Sequence, residues 1–461
     1  MITNSKWTAL GVLSIGTLMS TLDGGMVSAA FPALVEAFDT DASTVLWVNV
    51  AFWVTNVGLL LTMGWLGDVF GRRRVFSVGY LVFTVGLLLA AASLEVWQII
   101  ASRIVQGIGS AMTLSNLNAL ITNSFPSNER GKAMGISGAV VGIGLSVGPL
   151  LGGFLLDALD WRALFYIRAP VGLLGSIMAW TMLAPDRNGE RKFRIDFLGA
   201  TALFVTLGTL LLALNQGGRH GFESVYVISL TLISLGSLPL LVWTQKRSAR
   251  PIIDISLFQS RQYTFALLVL VSHYLSHGPI LLVAPFFLVN SLEFSASKMG
   301  VFLAGFVLGR VFCAPFAGYL SDRFGPRPFL LFGNCLTAMS LFWLSTIGLN
   351  TADLTLFLAL SSAGVGSAFF EPVVTSTIMG SVQKERLGTA SASVAMGRHI
   401  AFSVGVTLAG AIFAIREPFH LAKTGMETSA IAGAFSDTLL VAVILATAAI
   451  VFSIGTNKQP L

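Results

Sequence analysis

Charge is what this sequence is shortest of. Lysine, arginine, aspartate and glutamate make up 11% of its 461 residues, where a soluble globular chain carries about 25%. Water is therefore not the solvent for most of its surface. Cysteine is almost absent. Cys313 and Cys335 both lie in apolar runs, which excludes a disulfide framework or a thiolate metal site and leaves them as small packing residues. No polar stretch is long enough for a large soluble domain, which argues against a sensor with a cytoplasmic signalling module. No G-x-x-x-x-G-K-[ST] segment occurs, so a phosphate-binding loop for ATP is missing and an ion gradient is the expected driving force. No clustered nucleophile, acid pair or metal set supports a membrane enzyme, and neither a cofactor nor a metal is expected. The net charge of +6 does not point to nucleic acid, because the basic residues fall in short loops and not on one face.

What is present is apolar length. Hydrophobic residues are 54% of the chain, and runs of about 20 residues, enough to cross a ~30 Å hydrocarbon core, fill nearly all of it. Fourteen spans are expected, at about 8–31, 44–67, 75–94, 96–121, 131–156, 163–183, 196–214, 224–243, 263–289, 298–320, 328–348, 353–379, 388–413 and 436–455. The first resembles a secretory signal in its Lys6 and apolar run. It has no convincing small-residue cleavage site and continues through Asp23 to Pro32, so it reads as a retained span. With the N-terminus inside, 19 of the 28 Lys and Arg residues fall on the cytoplasmic side, 5 on the other, and the remaining four inside spans. That asymmetry follows the positive-inside rule with both ends cytoplasmic. An odd number of spans in the first half would scramble it.

The chain also repeats itself. Gly64-Trp65-Leu66-Gly67-Asp68-Val69-Phe70-Gly71-Arg72-Arg73-Arg74 returns 254 residues later as Gly318-Tyr319-Leu320-Ser321-Asp322-Arg323-Phe324-Gly325-Pro326-Arg327-Pro328. Gly107-Ile108-Gly109-Ser110-Ala111 is echoed by Gly364-Val365-Gly366-Ser367-Ala368, and Glu129-Arg130 by Glu385-Arg386. Two related halves built of membrane spans are the pattern of a secondary transporter. The offset exceeds the length of six spans, and the surplus holds the two at 196–214 and 224–243, which read as lipid-facing spacers. The expected organisation is a bundle over 1–183, two linker helices over 184–255, and a second bundle over 256–461.

Further motifs fall in order on these spans: Leu22-Asp23-Gly24-Gly25-Met26-Val27-Ser28-Ala29-Ala30-Phe31-Pro32, Arg103-Ile104-Val105-Gln106-Gly107-Ile108-Gly109, Gly144 through Gly148-Pro149-Leu150-Leu151-Gly152-Gly153, Trp161-Arg162-Ala163-Leu164-Phe165-Tyr166-Ile167-Arg168-Ala169-Pro170, and Pro251-Ile252-Ile253-Asp254 with Leu257-Phe258. Together they resemble the major facilitator superfamily, in particular its fourteen-span drug:proton antiporter branch, over essentially the whole chain. The sequence departs from that pattern at Gly25, Ser28 and Arg168, where the resemblance calls for Thr, Asn and Asn. The resemblance implies an all-α polytopic membrane protein with the major facilitator fold, two six-helix bundles plus two inserted helices. It implies a monomer in the plasma membrane whose partners are a small-molecule substrate, protons and the lipid bilayer. By alternating access it would export drug-like or amphiphilic compounds. A dedicated exporter of one metabolite, lipid or peptide is the alternative.

Physical chemistry assigns expectations to individual residues. Gly64, Asp68, Gly71, Arg72 and Arg73, with Asp322 and Arg327 in the second copy, place an acid at a helix end, then a glycine turn, then arginines. Such a cluster can latch the bundles on the cytoplasmic side, where topology alone would need only the arginines. Asp23 is the main candidate for proton coupling, because a mid-span charge costs several kcal/mol and needs a partner or a task. At 1.5 Å per residue it lies about 22 Å from the inner end of its span, and Arg103 on the fourth span lies about 20 Å from that side. The two are expected to pair in one carrier state and separate in another. A permanent structural pair is the bland alternative.

Glu371, next to Pro372 in the twelfth span, could carry a second proton or bind a cationic substrate, or form a salt bridge to Arg398 in the thirteenth. Arg310, mid-span in the tenth, hints either at an anionic group on the substrate or at a pairing with Glu371. His273 and His277, at i and i+4 on one face, suit hydrogen bonding in the substrate cavity or pH sensing; His399 beside Arg398 is equally open. Gly138, Gly142, Gly144, Gly148, Pro149, Gly152 and Gly153 give the fifth span a small-residue face for close packing and a bend. The resemblance associates that element with antiport.

Overall fold

Helices stand on each of the stretches read as spans. The structure is a computed structural model, and it describes residues 6–126, 130–184, 197–247, 255–382 and 387–456. Glu129, the Glu385-Arg386 echo, the Pro251–Asp254 motif and the loop cations Arg187, Arg191, Lys192, Arg194, Arg250, Lys384 and Lys458 lie outside the described residues. The chain runs through α1 (Lys6–Ala29), α2 (Phe31–Ala37), α3 (Ala42–Phe70), α4 (Arg72–Ala91), α5 (Val96–Ser124), α6 (Arg130–Ala158), α7 (Ala163–Tyr166) and α8 (Ala169–Met182). It continues through α9 (Phe197–His220), α10 (Val225–Arg247), α11 (Arg261–Leu275), α12 (Gly278–Phe286), α13 (Ala296–Phe324), α14 (Pro326–Ser345), α15 (Asp353–Gly380), α16 (Leu387–Thr424) and α17 (Glu427–Ile454). It divides into two compact units, Met1–Gly208 and Thr209–Leu461, with the boundary inside α9.

Length and apolarity qualify ten of the described helical stretches as membrane crossings, fewer than the fourteen spans expected. The apolar stretches of α3, α6 and α9 are shorter, at 44–60, 147–158 and 201–217. α5 falls short for a different reason. It buries Arg103, Gln106 and Asn116, so its polar residues face protein and not lipid. α4 has the same inverted character. Leu81, Val85 and Leu88 are exposed on one stripe, while Ser77, Gly79, Thr84 and Gly86 are buried on the other. Large apolar groups outside and small or polar groups inside are what a bilayer solvent selects. α10 exposes Val225, Tyr226, Ile228, Leu232, Leu235 and Trp243, as a lipid-facing spacer should.

Packing repeats between the units. In the first, α1 packs on α6, α3 and α4 on α5, and α4 on α8. In the second, α11 and α12 pack on α16, α13 and α14 on α15, and α14 on α17. The first core gathers Leu13, Phe76, Tyr80, Ile121 and Phe125, the second Tyr263, Leu270, Phe370, Val374 and Ala449.

Two stretches depart from the sequence reading. The ninth span is not one helix: α11 stops at Leu275 and α12 restarts at Gly278, with Pro279 at its first turn, where it has no N–H to give to the preceding carbonyls. Beyond α12 a π-helical turn, Phe287–Ser291, completes the crossing. The thirteenth span does not end near 413. α16 runs on to Thr424, 38 residues in all from Leu387, about 57 Å at 1.5 Å per residue, and stops only at Gly425, whose φ of 67° breaks the helix.

Candidate functional site

In the first unit the acid of α1 meets α5 as depth arithmetic requires. Asp23 Oδ2 lies 2.7 Å from Arg103 Nη1, both side chains fully buried. Its other oxygen, Oδ1, accepts a hydrogen bond at 2.7 Å from Arg168 Nη1. Arg168, at the turn leading into α8, was noted in the sequence only as a departure from the resembling motif. That departure was the signal. Arg103 is held on several sides: Nε donates to the Val48 carbonyl at 2.9 Å, Nη1 to Gln106 at 2.5 Å, Nη2 to Asn49 at 3.4 Å, and the guanidinium lies 4.4 Å from the Phe52 ring centre. Asn49 in turn donates to Ser28 Oγ at 3.2 Å, so the residue replacing the motif's Asn joins the same network. Arg168 is held less fully. Nε donates to the Leu164 carbonyl at 2.6 Å, and Nη2 is buried without a hydrogen-bond partner among the described residues.

The second unit assembles a matching set from other helices. Glu371 of α15 pairs with Arg310 of α13, with Arg398 Nη1 of α16 at 3.2 Å, and accepts a hydrogen bond from Tyr274 Oη of α11 at 2.7 Å. Both salt-bridge partners considered for Glu371 are thus present together, and Tyr274 is added. Apolar surroundings hid Tyr274 in the sequence, where a span aromatic reads as core or lipid-facing. The His399 side chain lies outside the described residues.

His273 and His277, one turn apart, lie side by side with ring centres 4.5 Å from each other. His273 is fully buried, with Nδ1 2.8 Å from Asn334 Oδ1 and Nε2 3.3 Å from Ser367 Oγ, and its ring stacks on Phe370 at 3.6 Å. His277 sits at the break between α11 and α12, where its Nδ1 donates to the His273 carbonyl at 2.7 Å. The broken helix supplies the reason. The His277 N–H turns to the Tyr274 carbonyl at 3.3 Å, so the His273 carbonyl loses its ordinary helical donor and accepts instead from the Ser276 N–H at 3.2 Å, the Ser276 hydroxyl at 2.7 Å and the His277 ring nitrogen.

The repeated motif is repeated in geometry. Gly71 ends α3 with φ of 101° and Gly325 ends α13 with φ of 85°, and their N–H groups donate to the Gly67 and Ser321 carbonyls at 3.0 and 2.9 Å. Only glycine adopts these angles without strain. Arg73 Nη2 donates to the Trp180 carbonyl in the last turn of α8, where a cation suits the negative helix end. Arg72 follows at the start of α4 and Arg327 at the start of α14. Gly64 sits in α3 against Ser115, a Cβ there falling 3.5 Å from it. The side chains of Asp68 and Asp322 lie outside the described residues.

The glycine-rich face of α6 packs on α1. A Cβ at Gly148 would fall 2.9 Å from the Leu22 carbonyl oxygen, one at Gly152 2.9 Å from Met26 Cα, and one at Gly25 2.5 Å from Pro149 Cδ. Gly144 meets Thr21 and Gly153 is buried on the same helix. The second unit repeats the close approach between Gly278 of α12 and Gly405 of α16. Sequence reading passed over one further cluster: Arg416 Nε and His420 Nε2, both on the extension of α16, lie 2.6 and 2.7 Å from Asp437 Oδ2 of α17.

Comparison with known proteins agrees with this architecture. The model of the Major Facilitator Superfamily matches residues 13–244 and 265–453. The riboflavin transporter RibZ of Clostridioides difficile (strain 630) is 30% identical over 410 residues, 89% of this chain and 88% of that protein. The multidrug transporter protein MdtP of Bacillus subtilis (strain 168) is 28% identical over 408 residues, 88% of this chain and 74% of its own. A solved bacterial homolog of the human lysosomal transporter Spinster, inward-facing and unoccupied, shares the fold with a TM-score of 0.71 at 14% identity, over 99% of this chain and 98% of that one.

Proposed function

The chain belongs to the Major Facilitator Superfamily of transporters, and within it we propose a proton-coupled antiporter that exports drug-like or amphiphilic small molecules across the plasma membrane by alternating access. The observation that supports this is the sealing of Asp23 between Arg103 and Arg168 inside the membrane helices. A buried carboxylate shared by two guanidiniums trades interaction partners for a proton when the helices carrying them separate. In this reading Asp23 and Arg103 part during turnover, Asp23 binds a proton while unpaired, and Glu371 serves as a second coupling acid. The chain crosses the membrane fourteen times with both termini cytoplasmic, as a first bundle (1–183), two linker helices (184–255) and a second bundle (256–461). It works as a monomer with the proton gradient as its energy source, and Asp68 and Asp322 with their arginines form the cytoplasmic latch.

A second reading, a dedicated exporter of one metabolite, is favoured by the 30% identity to a protein named as a riboflavin transporter. Efflux from proteoliposomes under an imposed pH gradient, over a panel of drugs, dyes and vitamins, separates the two by breadth. Asp23→Asn is the control: gradient-driven accumulation that persists in it would rule out coupling at this residue.

A further inference from the structure

The second unit's cluster carries more positive than negative charge and is partly exposed. One carboxylate, Glu371, faces two guanidiniums, Arg310 and Arg398, which leaves one positive charge over. Both carboxylate oxygens are engaged, Oε1 by Tyr274 and Arg398 and Oε2 by Arg310. The Asp23 triad has the same composition, yet Asp23 and Arg103 are fully buried and Arg168 is only 6% exposed. In the second cluster the Glu371, Arg310 and Arg398 side chains are 17%, 22% and 34% exposed. Of the two, it is the more exposed.

Two buried polar atoms belong to its surroundings. Among the described residues, Arg398 Nε is buried with no hydrogen-bond partner, and so is His277 Nε2. Because Nδ1 of His277 gives its proton to the His273 carbonyl, the neutral ring presents Nε2 as a bare acceptor. The His277 ring lies 5.5 Å from Phe306, and Phe306 stands one turn before Arg310 on the same face of α13. The Tyr274 ring, with the Arg398 guanidinium 5.6 Å from its centre, supplies aromatic surface. Guanidinium groups match a carboxylate in shape as well as charge, whereas a cationic solute would meet like charge in a low-dielectric setting.

We infer that Arg310 and Arg398 bind the carboxylate of an organic anion, which competes with Glu371 for them, and that His277 Nε2 accepts a hydrogen bond from the same molecule. The inference narrows the substrate class of the exporter proposed above and rests on that reading for the transport step after binding.

Two xanthene dyes of similar shape and opposite charge test it, carboxyfluorescein and rhodamine 6G. Fluorescence anisotropy with the purified full chain in detergent should show carboxyfluorescein binding at least tenfold tighter than rhodamine 6G. Arg310→Gln and Arg398→Gln should each weaken it about tenfold or more. Glu371→Gln, which removes the competing carboxylate and keeps both arginines, should tighten it severalfold, an effect that a purely structural Glu371 does not produce. No carboxyfluorescein binding, a preference for rhodamine 6G, or weaker binding in Glu371→Gln overturns the anion site. Movement of each dye in proteoliposomes is then measured separately. Anion binding without movement of either dye would sink the exporter reading and leave the site standing. Rhodamine 6G export without carboxyfluorescein binding would do the reverse.

Discussion

Arg103 and Asp23 face each other at 2.7 Å with neither side chain reaching solvent, although 79 residues of chain separate them. A charge pair so placed is costly to break from one side, because the survivor stays buried and uncompensated.

Replacing Asp23 by Asn should leave two buried guanidiniums facing a neutral group. Loss of one partner from a buried ion pair costs about 3–5 kcal/mol, so thermal unfolding in detergent should shift downward. Accumulation driven by a pH gradient should fall at least tenfold, while downhill exchange of substrate persists. Retained pH-driven accumulation contradicts the coupling proposal.

The two arginines on Asp23 should not be equivalent. Arg103 also hydrogen-bonds Val48, Gln106 and Asn49, whereas Arg168 adds the Leu164 carbonyl and a 5.7 Å approach to the Phe165 ring, and its Nη2 has no hydrogen-bond partner among the described residues. Arg103→Gln is expected to destabilise by about 3–5 kcal/mol. Arg168→Asn should cost less, about 1–3 kcal/mol. Melting curves of the two variants side by side check the order, and an equal or reversed loss would show that the extra contacts of Arg103 carry no weight.

Glycine positions on α6 should tolerate no added bulk. At Gly148 the obstacle is the Leu22 carbonyl oxygen, 2.9 Å from the position of a Cβ, and a backbone atom cannot swing aside. Gly148→Val is expected to reduce transport at least tenfold with protein still present in the membrane. Gly318→Ala, where a Cβ meets nothing within 4 Å, should stay within about 0.5 kcal/mol of the parent. Transport assays normalised to membrane-inserted protein distinguish the pair.

The helix-ending glycines of the repeat make a matched prediction. Gly71 and Gly325 hold φ of 101° and 85°, and a side chain in that region costs about 1–3 kcal/mol. Gly71→Ala and Gly325→Ala should each lower thermal stability by that amount. A neutral result at both sites would mean the turns relax to negative φ.

Much of the frame is legible in the sequence because the bilayer makes few demands and states them loudly. Long apolar runs become helices, since unpaired backbone groups are not tolerated in lipid, and a helix is a ruler. The level of Asp23 against Arg103 came from a rise per residue alone. The repeat of Gly71 as Gly325 foretold two turns of one geometry, because only glycine serves both. The limits have the same physical origin. A ruler gives depth but not direction around the helix axis, and Arg168 came to Asp23 through the turn before α8, which no span arithmetic locates. Tyr274 was hidden for a related reason: an aromatic ring in an apolar run carries no mark of whether its hydroxyl finds a carboxylate. Nor did the apolar run ending near 413 announce that α16 would continue, since Arg416 and His420 are held by Asp437 of the next helix.

The sequence by itself determined a membrane-embedded chain of two related halves, with its few buried charges placed by depth, because hydropathy and helical rise are local properties. Only the tertiary structure decided how the four basic residues inside the spans are shared. Arg103 and Arg168 go to Asp23, and Arg310 and Arg398 go to Glu371. That choice depends on which helix faces pack together, and faces are set by close approaches such as Gly25 on Pro149 and Gly278 on Gly405, which exist only once the helices have met.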